Sequence, residues 1–359
     1  MRKILIISTV GLIYDGITNV ILSYLQAMDL SNMEIYIGAT INVVPEIRSK
    51  LEKMGCQIIE LPSRRDKPLK YMFELVKMIR INKIQVIHAH GNSGTLAIEM
   101  VAAWLGGCRK RIAHSHNTQC DKVRADKLLR PIFNMFYTDA LACGGAAGKW
   151  LFGNKKFTVL QNGRNIDEFS YNENVRISMR NQYGLKQEIV IGHVGGFFKQ
   201  KNHSFLISIF KEIMKKEPSA HLFLIGDGPL KNEIIKNVEE FDNSIEFIGK
   251  TDRVADYLQM MDVMVLPSLF EGLPLVAIEW QINGLPCILS DNVTKACAFA
   301  ENIVFMSLDN SPEQWAEKIL ESARNSKREK SSERAKDAAR QAGFDIRDGA
   351  SNLYKIYME

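Results

Sequence analysis

Short apolar runs alternate along this chain with longer stretches in which apolar residues recur at helical spacing. Ile4 to Ile7 reads as a buried opening strand. The loop Ser8 to Gly16 then leads into a helix over Ile17–Met28. Further strands are expected at Glu34–Gly38, Gln57–Leu61, Gln85–Ala89, Arg111–Ser115, Ala140–Cys143 and Phe157–Leu160. Helical stretches such as Pro68–Ile81 and Thr95–Leu105 separate most of them. A second series follows: strands at Ile189–Val194, Ala220–Ile225, Ile245–Gly249, Val263–Leu266 and Pro286–Leu289, with a helix at Val254–Gln259. Alternating β and α segments imply an α/β fold of doubly wound parallel sheets, whose ligands bind beyond the carboxyl ends of the strands.

Two series in 359 residues imply two domains. The break falls at Leu160-Gln161-Asn162-Gly163, so the domains are expected at 1–163 and 164–344. A charged stretch, Asp167 to Lys186, is expected to form a short surface helix. The region from Pro312 to Glu359 is charged and helical, broken at Gly343.

Composition changes this picture little. The chain is 46% hydrophobic and 24% charged, with a net charge of +5, which does not by itself imply nucleic acid. Six Cys lack any C-x-x-C pair, so neither a zinc ribbon nor a disulfide framework is indicated, and reduced thiols in a cytoplasm are the simplest account. The apolar run after Met1-Arg2-Lys3 is too short for a signal peptide, and no stretch is long and apolar enough to cross a bilayer.

Candidate chemistry gathers at strand ends. After the strand Val263–Leu266, the residues Ser268, Glu271 and Gly272 make a polar turn, and Leu273-Pro274 opens a helix carrying Glu279. Pro suits a first helical turn, and the free N–H groups there favour an anion such as a diphosphate. Two carboxylates eight positions apart can bracket hydroxyl-rich groups on either side of that phosphate. After Val194, Gly195 and Gly196 are followed by Lys201, which supplies backbone donors plus a point charge. Gly226-Asp227-Gly228-Pro229 is a second glycine turn. His88 and His90 end one strand, and His114 and His116 end another, each pair on one face. Four His could hold a metal. Zinc sites usually add Cys or carboxylates, and the neighbours Gly91-Asn92-Ser93 and Asn117-Thr118-Gln119 resemble a hydrogen-bonding site instead.

The stretch Leu266 to Glu279 resembles the E-x7-E signature of retaining glycosyltransferases of the GT-B type, family 4. The resemblance implies two Rossmann-like domains facing a central cleft, with the C-terminal helix, 345–359, packing back on the first. It implies a nucleotide-sugar donor, with UDP as the carrier, and transfer without a metal or other cofactor. Lys201 would neutralise the leaving diphosphate, Glu279 would hold the ribose, and Glu271 would contact the transferred sugar. His116, with His114 the second choice, would lie by that sugar. Gly16, Gly195, Gly196, Gly226, Gly228, Lys250, Gly272 and Leu273 would line the donor site. The family's Arg is replaced here by Gly196, and Arg164, after the hinge, is the candidate replacement cation.

The implied reaction is retaining transfer to a lipid-linked or oligosaccharide acceptor in bacterial surface-polysaccharide synthesis. Cys120 to Tyr137 carries Lys122, Arg124, Lys127 and Arg130 among apolar residues, either as a solvated face or as a contact with the inner leaflet of an anionic membrane. Two rivals stand beside this reading: a sugar-nucleotide epimerase, and a non-catalytic subunit that binds a partner transferase.

Overall fold

The computed structural model describes residues 1–13, 15–40, 43–238 and 244–359. The chain divides into two compact units, Met1–Gly163 with Ile346–Glu359, and Arg164–Asp345.

The first unit holds strands Arg2–Ser8 (β1), Met33–Ala39 (β2), Gln57–Glu60 (β3), Val86–His90 (β4), Lys110–Ser115 (β5), Asp139–Ala142 (β6) and Thr158–Val159 (β7). Its helices are Gly16–Ala27 (α1), Pro45–Lys53 (α2), Pro68–Asn82 (α3), Ala97–Leu105 (α4), Val123–Phe136 (α5) and Gly145–Phe152 (α6). The strands pair in parallel in the order β3-β2-β1-β4-β5-β6-β7. The strand order reverses between β1 and β4. A ligand of a doubly wound sheet binds at such a switch point, outside the carboxyl ends. β4 is buried throughout because helices cover both its faces, as its apolar run requires. The C-terminal helix, Ile346–Met358, packs Ile346, Ala350, Leu353 and Tyr357 into the core formed by β1, β2 and α1.

The second unit repeats the plan with six strands: Val190–Val194 (β8), His221–Ile225 (β9), Ile245–Gly249 (β10), Val263–Leu266 (β11), Cys287–Ser290 (β12) and Ile303–Met306 (β13). Their order is β10-β9-β8-β11-β12-β13, again all parallel, with the switch point between β8 and β11. The helices are Ile166–Phe169 (α7), Glu173–Gln182 (α8), His203–Lys216 (α9), Lys231–Lys236 (α10), Val254–Met260 (α11), Leu275–Ile282 (α12), Pro312–Arg324 (α13) and Arg328–Gln341 (α14).

The charged stretch 167–186 differs from the expected surface helix. It forms two helices, α7 and α8, and α8 buries Met179 and Arg180. The reason is electrostatic. Arg176 and Arg180 both reach Asp262, at 2.5 and 3.2 Å, just before β11. Arg180 also donates to the carbonyls of Met260, Lys186 and Glu188. A buried guanidinium needs this many acceptors to offset its lost water.

Candidate active site

In the second unit β8 ends at Val194 and the chain turns through Gly195 and Gly196. This loop lies against the turn after β9. A Cβ on Gly226, whose φ is +142°, would meet the Gly195 carbonyl oxygen at 2.1 Å. A Cβ on Gly228 would meet the Phe197 backbone at 2.7 Å. The backbones therefore touch only because glycine stands at both positions. The N–H of Gly195 donates to Ile225, and that of Phe197 to Asp227, which fixes the loop.

Lys201 follows in a short turn, and its stem lies 3.2 Å from where a Gly195 Cβ would be. Its Nζ is 2.5 Å from Glu271 Oε1, in the loop after β11, with side-chain exposures of 17% and 10%. Ser268 Oγ donates to the same oxygen at 3.0 Å. Two further bonds clamp these loops together: Leu269 N–H to the Gln200 carbonyl, and Gln200 Nε2 to the Phe270 carbonyl. The switch point of the second sheet is thus bridged by an ammonium–carboxylate pair. Helix α12 begins just beyond, with Pro274 at its N-cap and no side-chain cap. Its first N–H groups and dipole add positive potential there.

Glu279 projects from α12 and is 8% exposed. Burial pushes its carboxyl up from the ordinary range, and the Arg164 guanidinium, with Nε 2.6 Å from Oε1, pulls against that shift. Arg164 is anchored by its own N–H, which donates to the Phe344 carbonyl. So the two proposed cations and two proposed carboxylates of this unit form two pairs, Lys201–Glu271 and Arg164–Glu279.

The switch point of the first unit is built differently. His88 and His90 end β4, and His114 ends β5 beside His90 in register. Thr9, just after β1, donates both its N–H and its Oγ to the His90 carbonyl. Four imidazoles cluster here. His88 Nε2 lies 3.1 Å from His114 Nδ1, and His90 Nδ1 lies 2.8 Å from His116 Nε2. His88 Nδ1 shares a 2.6 Å hydrogen bond with the Tyr357 hydroxyl of the C-terminal helix. Burial pushes His88, His90 and His114 well below their ordinary range and His116 down to about 3, so all four are neutral. Asn92 Oδ1 accepts from the His116 backbone N–H at 2.9 Å, which fixes the loop carrying that ring.

The remaining expected residues fall as follows. Gly16 opens α1, capped by Asp15 through Thr18 N–H, and a Cβ there would meet open space, so glycine is not sterically required. Gly196 sits beside the exposed ring of Phe198. Gly272 is exposed and Leu273 is half-buried, packing on the second unit's core. Lys250 is exposed just after edge strand β10, whose Gly249 carbonyl accepts from Gly226 N–H.

Two residues escaped the sequence reading. His193, fully buried on β8, bonds the Val265 carbonyl through Nδ1 and leaves Nε2 unpartnered. His203 stacks on Phe197 at a centroid distance of 4.2 Å, with both ring nitrogens unpartnered. The available signal was the position of His193 two residues before the glycine turn, on a strand already recognised.

The fold and these strand-end sites define an architecture of two doubly wound parallel sheets, each with polar groups at its switch point. Residues 175–342 match the family described as Glycosyl transferases group 1. EpsF of Bacillus subtilis (strain 168), whose name describes it as a glycosyltransferase, is 29% identical over 97% of this chain and 94% of its own. The UDP-Gal:alpha-D-GlcNAc-diphosphoundecaprenol alpha-1,3-galactosyltransferase of Escherichia coli is 28% identical over 63% of this chain and 62% of its own. Among solved structures, Anabaena HepE in complex with UDP superposes with a TM-score of 0.78, 14% identity and 99% coverage of each chain. The chain has the two-sheet GT-B fold, and its second half resembles the group 1 glycosyltransferases.

Proposed function

We propose that the protein transfers a sugar from a UDP-linked donor to a lipid-linked or oligosaccharide acceptor in bacterial polysaccharide synthesis, with retention of anomeric configuration. The observation that carries this reading is the Lys201–Glu271 pair at the switch point of the second sheet, beside two interlocked glycine turns and the start of α12. A buried ion pair resists losing one partner, because the other charge is left uncompensated. A diphosphate removes that penalty by supplying the replacement anion for Lys201, which frees Glu271 for the hydroxyls of the donor sugar. Charge developing on the leaving diphosphate is then met by a preorganised ammonium, backbone N–H groups and a helix dipole. Arg164 is the second cation, in place of the guanidinium that position 196 lacks. Glu279 takes the ribose hydroxyls, and His116 lies by the transferred sugar. In this reading no divalent ion is needed.

The relatives support the donor and acceptor classes: HepE is described in complex with UDP-glucose, and the Escherichia coli relative is named for transfer from UDP-Gal to a diphosphoundecaprenol-linked sugar. A membrane-presented acceptor also suits α5. Leu128, Ile132 and Met135 share one helical stripe and are 76%, 40% and 76% exposed, beside Lys127 and Arg124. No helix among the described residues is long and apolar enough to cross a membrane. Vesicles containing anionic lipid should retain the protein at low salt and release a Leu128→Glu, Met135→Glu variant; equal retention of both rejects the membrane contact.

The decisive experiment is a thermal-shift screen of nucleotide sugars followed by anomeric NMR of the product. A ligand bound only by the folded chain raises its melting temperature. UDP and one UDP-sugar should stabilise the wild type and lose their effect in Lys201→Ala. A product formed without acceptor would favour the epimerase, and absence of both binding and turnover would favour the non-catalytic subunit.

A further inference from the structure

The imidazole cluster contains more than His116. His90 is 3% exposed, too buried to meet a substrate itself, yet its Nδ1 lies 2.8 Å from His116 Nε2. The two rings lie nearly parallel, 22° apart with centroids separated by 5.0 Å. Between two neutral imidazoles such a bond holds one proton, so the tautomer of one ring dictates that of the other. If His90 donates, the His116 proton sits on Nδ1, and that edge is a donor. If His116 donates, its Nδ1 is an acceptor. Only one of these can serve a given sugar hydroxyl. His90 is itself held from behind, by Thr9 on its carbonyl and by the ring of His88, 4.1 Å away between centroids. A histidine that acts is generally oriented by the bond its other nitrogen makes.

Resting on the assignment of His116 to the donor sugar, we propose that His90 is a positioning residue for transfer: its hydrogen bond sets the orientation and the single tautomer that His116 presents. A metal would compete for the same nitrogens, since one ring nitrogen from each of His88, His90 and His114 lies within 4.8 Å of the others. The hydrogen bonds favour the first account. Both nitrogens of His88 are already engaged, one by Tyr357 and one by His114, so a metal would have to break one of these bonds.

The test reads His116 directly in the full-length protein, through side-chain nitrogen and carbon NMR shifts, in wild type, His90→Phe and His90→Asn. Asn places an amide near the Nδ1 position and can keep the bond; Phe keeps the bulk and loses it. Wild type and His90→Asn should show one His116 tautomer, and His90→Phe a mixture of two. With the donor found by the nucleotide-sugar screen, His90→Phe should lower kcat about 10- to 100-fold with KM changed less than threefold, and His90→Asn should recover most of that. An unchanged His116 tautomer in His90→Phe overturns the proposal, as does one tightly held metal per purified chain. Full activity in His116→Ala would instead reject the assignment of His116, leaving the tautomer result to judge His90 alone.

Discussion

In the first unit the strand ends at the switch point carry four neutral imidazoles in two hydrogen-bonded pairs, His88–His114 and His90–His116, with His88 also bonded to Tyr357. In the second unit the equivalent strand ends carry an ion pair, Lys201–Glu271, and a second pair, Arg164–Glu279, ties α12 to the segment that opens the unit. Both arrangements pair most of their buried polar groups, though His114 Nε2 has no partner, and they do so with different consequences. A neutral network keeps its shape without a ligand, and it offers polar edges suited to hydroxyls. An ion pair holds charges that an incoming anion or hydroxyl can exchange. The same sheet topology therefore presents one fixed neutral surface and one exchangeable charged surface. Under the proposed function, the neutral surface suits sugar hydroxyls and the charged one suits a nucleotide diphosphate.

The strongest way to break this comparison is to remove the exchangeable cation. Lys201→Ala should lower turnover about 10²–10³-fold, the cost of deleting one charged donor from a site where charge develops. Glu271→Gln should lower turnover far more than donor binding. Both are read as kcat and KM for UDP release with the donor identified by screening. If His116→Ala costs as much as Lys201→Ala, the neutral site contributes as much as the charged one, and the contrast fails.

How much of this was legible follows from what each feature depends on. The buried strands β8 and β11 announced themselves as apolar runs flanked by glycine or proline turns. Edge strand β13 did not: its four residues, Ile303–Met306, follow an irregular segment and are only half-buried. The loop residues Lys201 and Glu271 were recognisable from local spacing. Their bond was not, because it joins positions seventy residues apart and exists only because β8 and β11 are neighbours. The same holds for Arg164 and Glu279, expected in separate roles and found as a pair. Alternation on β4 and β5 placed each pair of His residues on one face. That the rings bond across strands, and that Tyr357 reaches them, required the register and the returning helix.

Acid sharpens the comparison next. Folded His88, His90, His114 and His116 have depressed pKa values, whereas an unfolded His titrates near 6.5. As pH falls below 6.5 the unfolded chain binds more protons than the folded one, so stability falls with pH. The loss continues toward the folded value, about 3 for His116. Among the described residues of the second unit, His193 and His203 act this way, His203 being pushed down to about 4. Hydrogen exchange between pH 7 and pH 5 should show β4 and β5 losing more protection than β8 and β9. Equal losses would mean that the imidazole cluster is not the acid-sensitive element.

A smaller effect is expected from the link to the C-terminal helix. Tyr357→Phe removes the hydroxyl bonded to His88 Nδ1 and leaves a buried polar atom unpaired, which costs about 1–3 kcal/mol. The change should appear in urea unfolding and in faster exchange of residues 346–358, with that of β8 to β13 unchanged. Faster exchange in β8 to β13 would show that the two sites are not energetically separate.

The smallest effect concerns the charge that position 196 lacks. A Cβ at Gly196 would lie 2.7 Å from the ring of Phe198, and next 3.3 Å from the Asp227 carbonyl oxygen. Phe198 is 54% exposed, so its ring can swing away. Gly226 and Gly228 differ, because there a Cβ meets backbone, which cannot move. Gly196→Arg should therefore fold and add a second cation beside Lys201. One charge-assisted hydrogen bond, less the entropy of ordering a long side chain, should tighten UDP binding up to about tenfold by calorimetry. The gain should be larger in an Arg164→Ala background if Arg164 now supplies that charge. An equal gain in both backgrounds would assign Arg164 to Glu279 alone and leave Lys201 as the diphosphate's single side-chain cation.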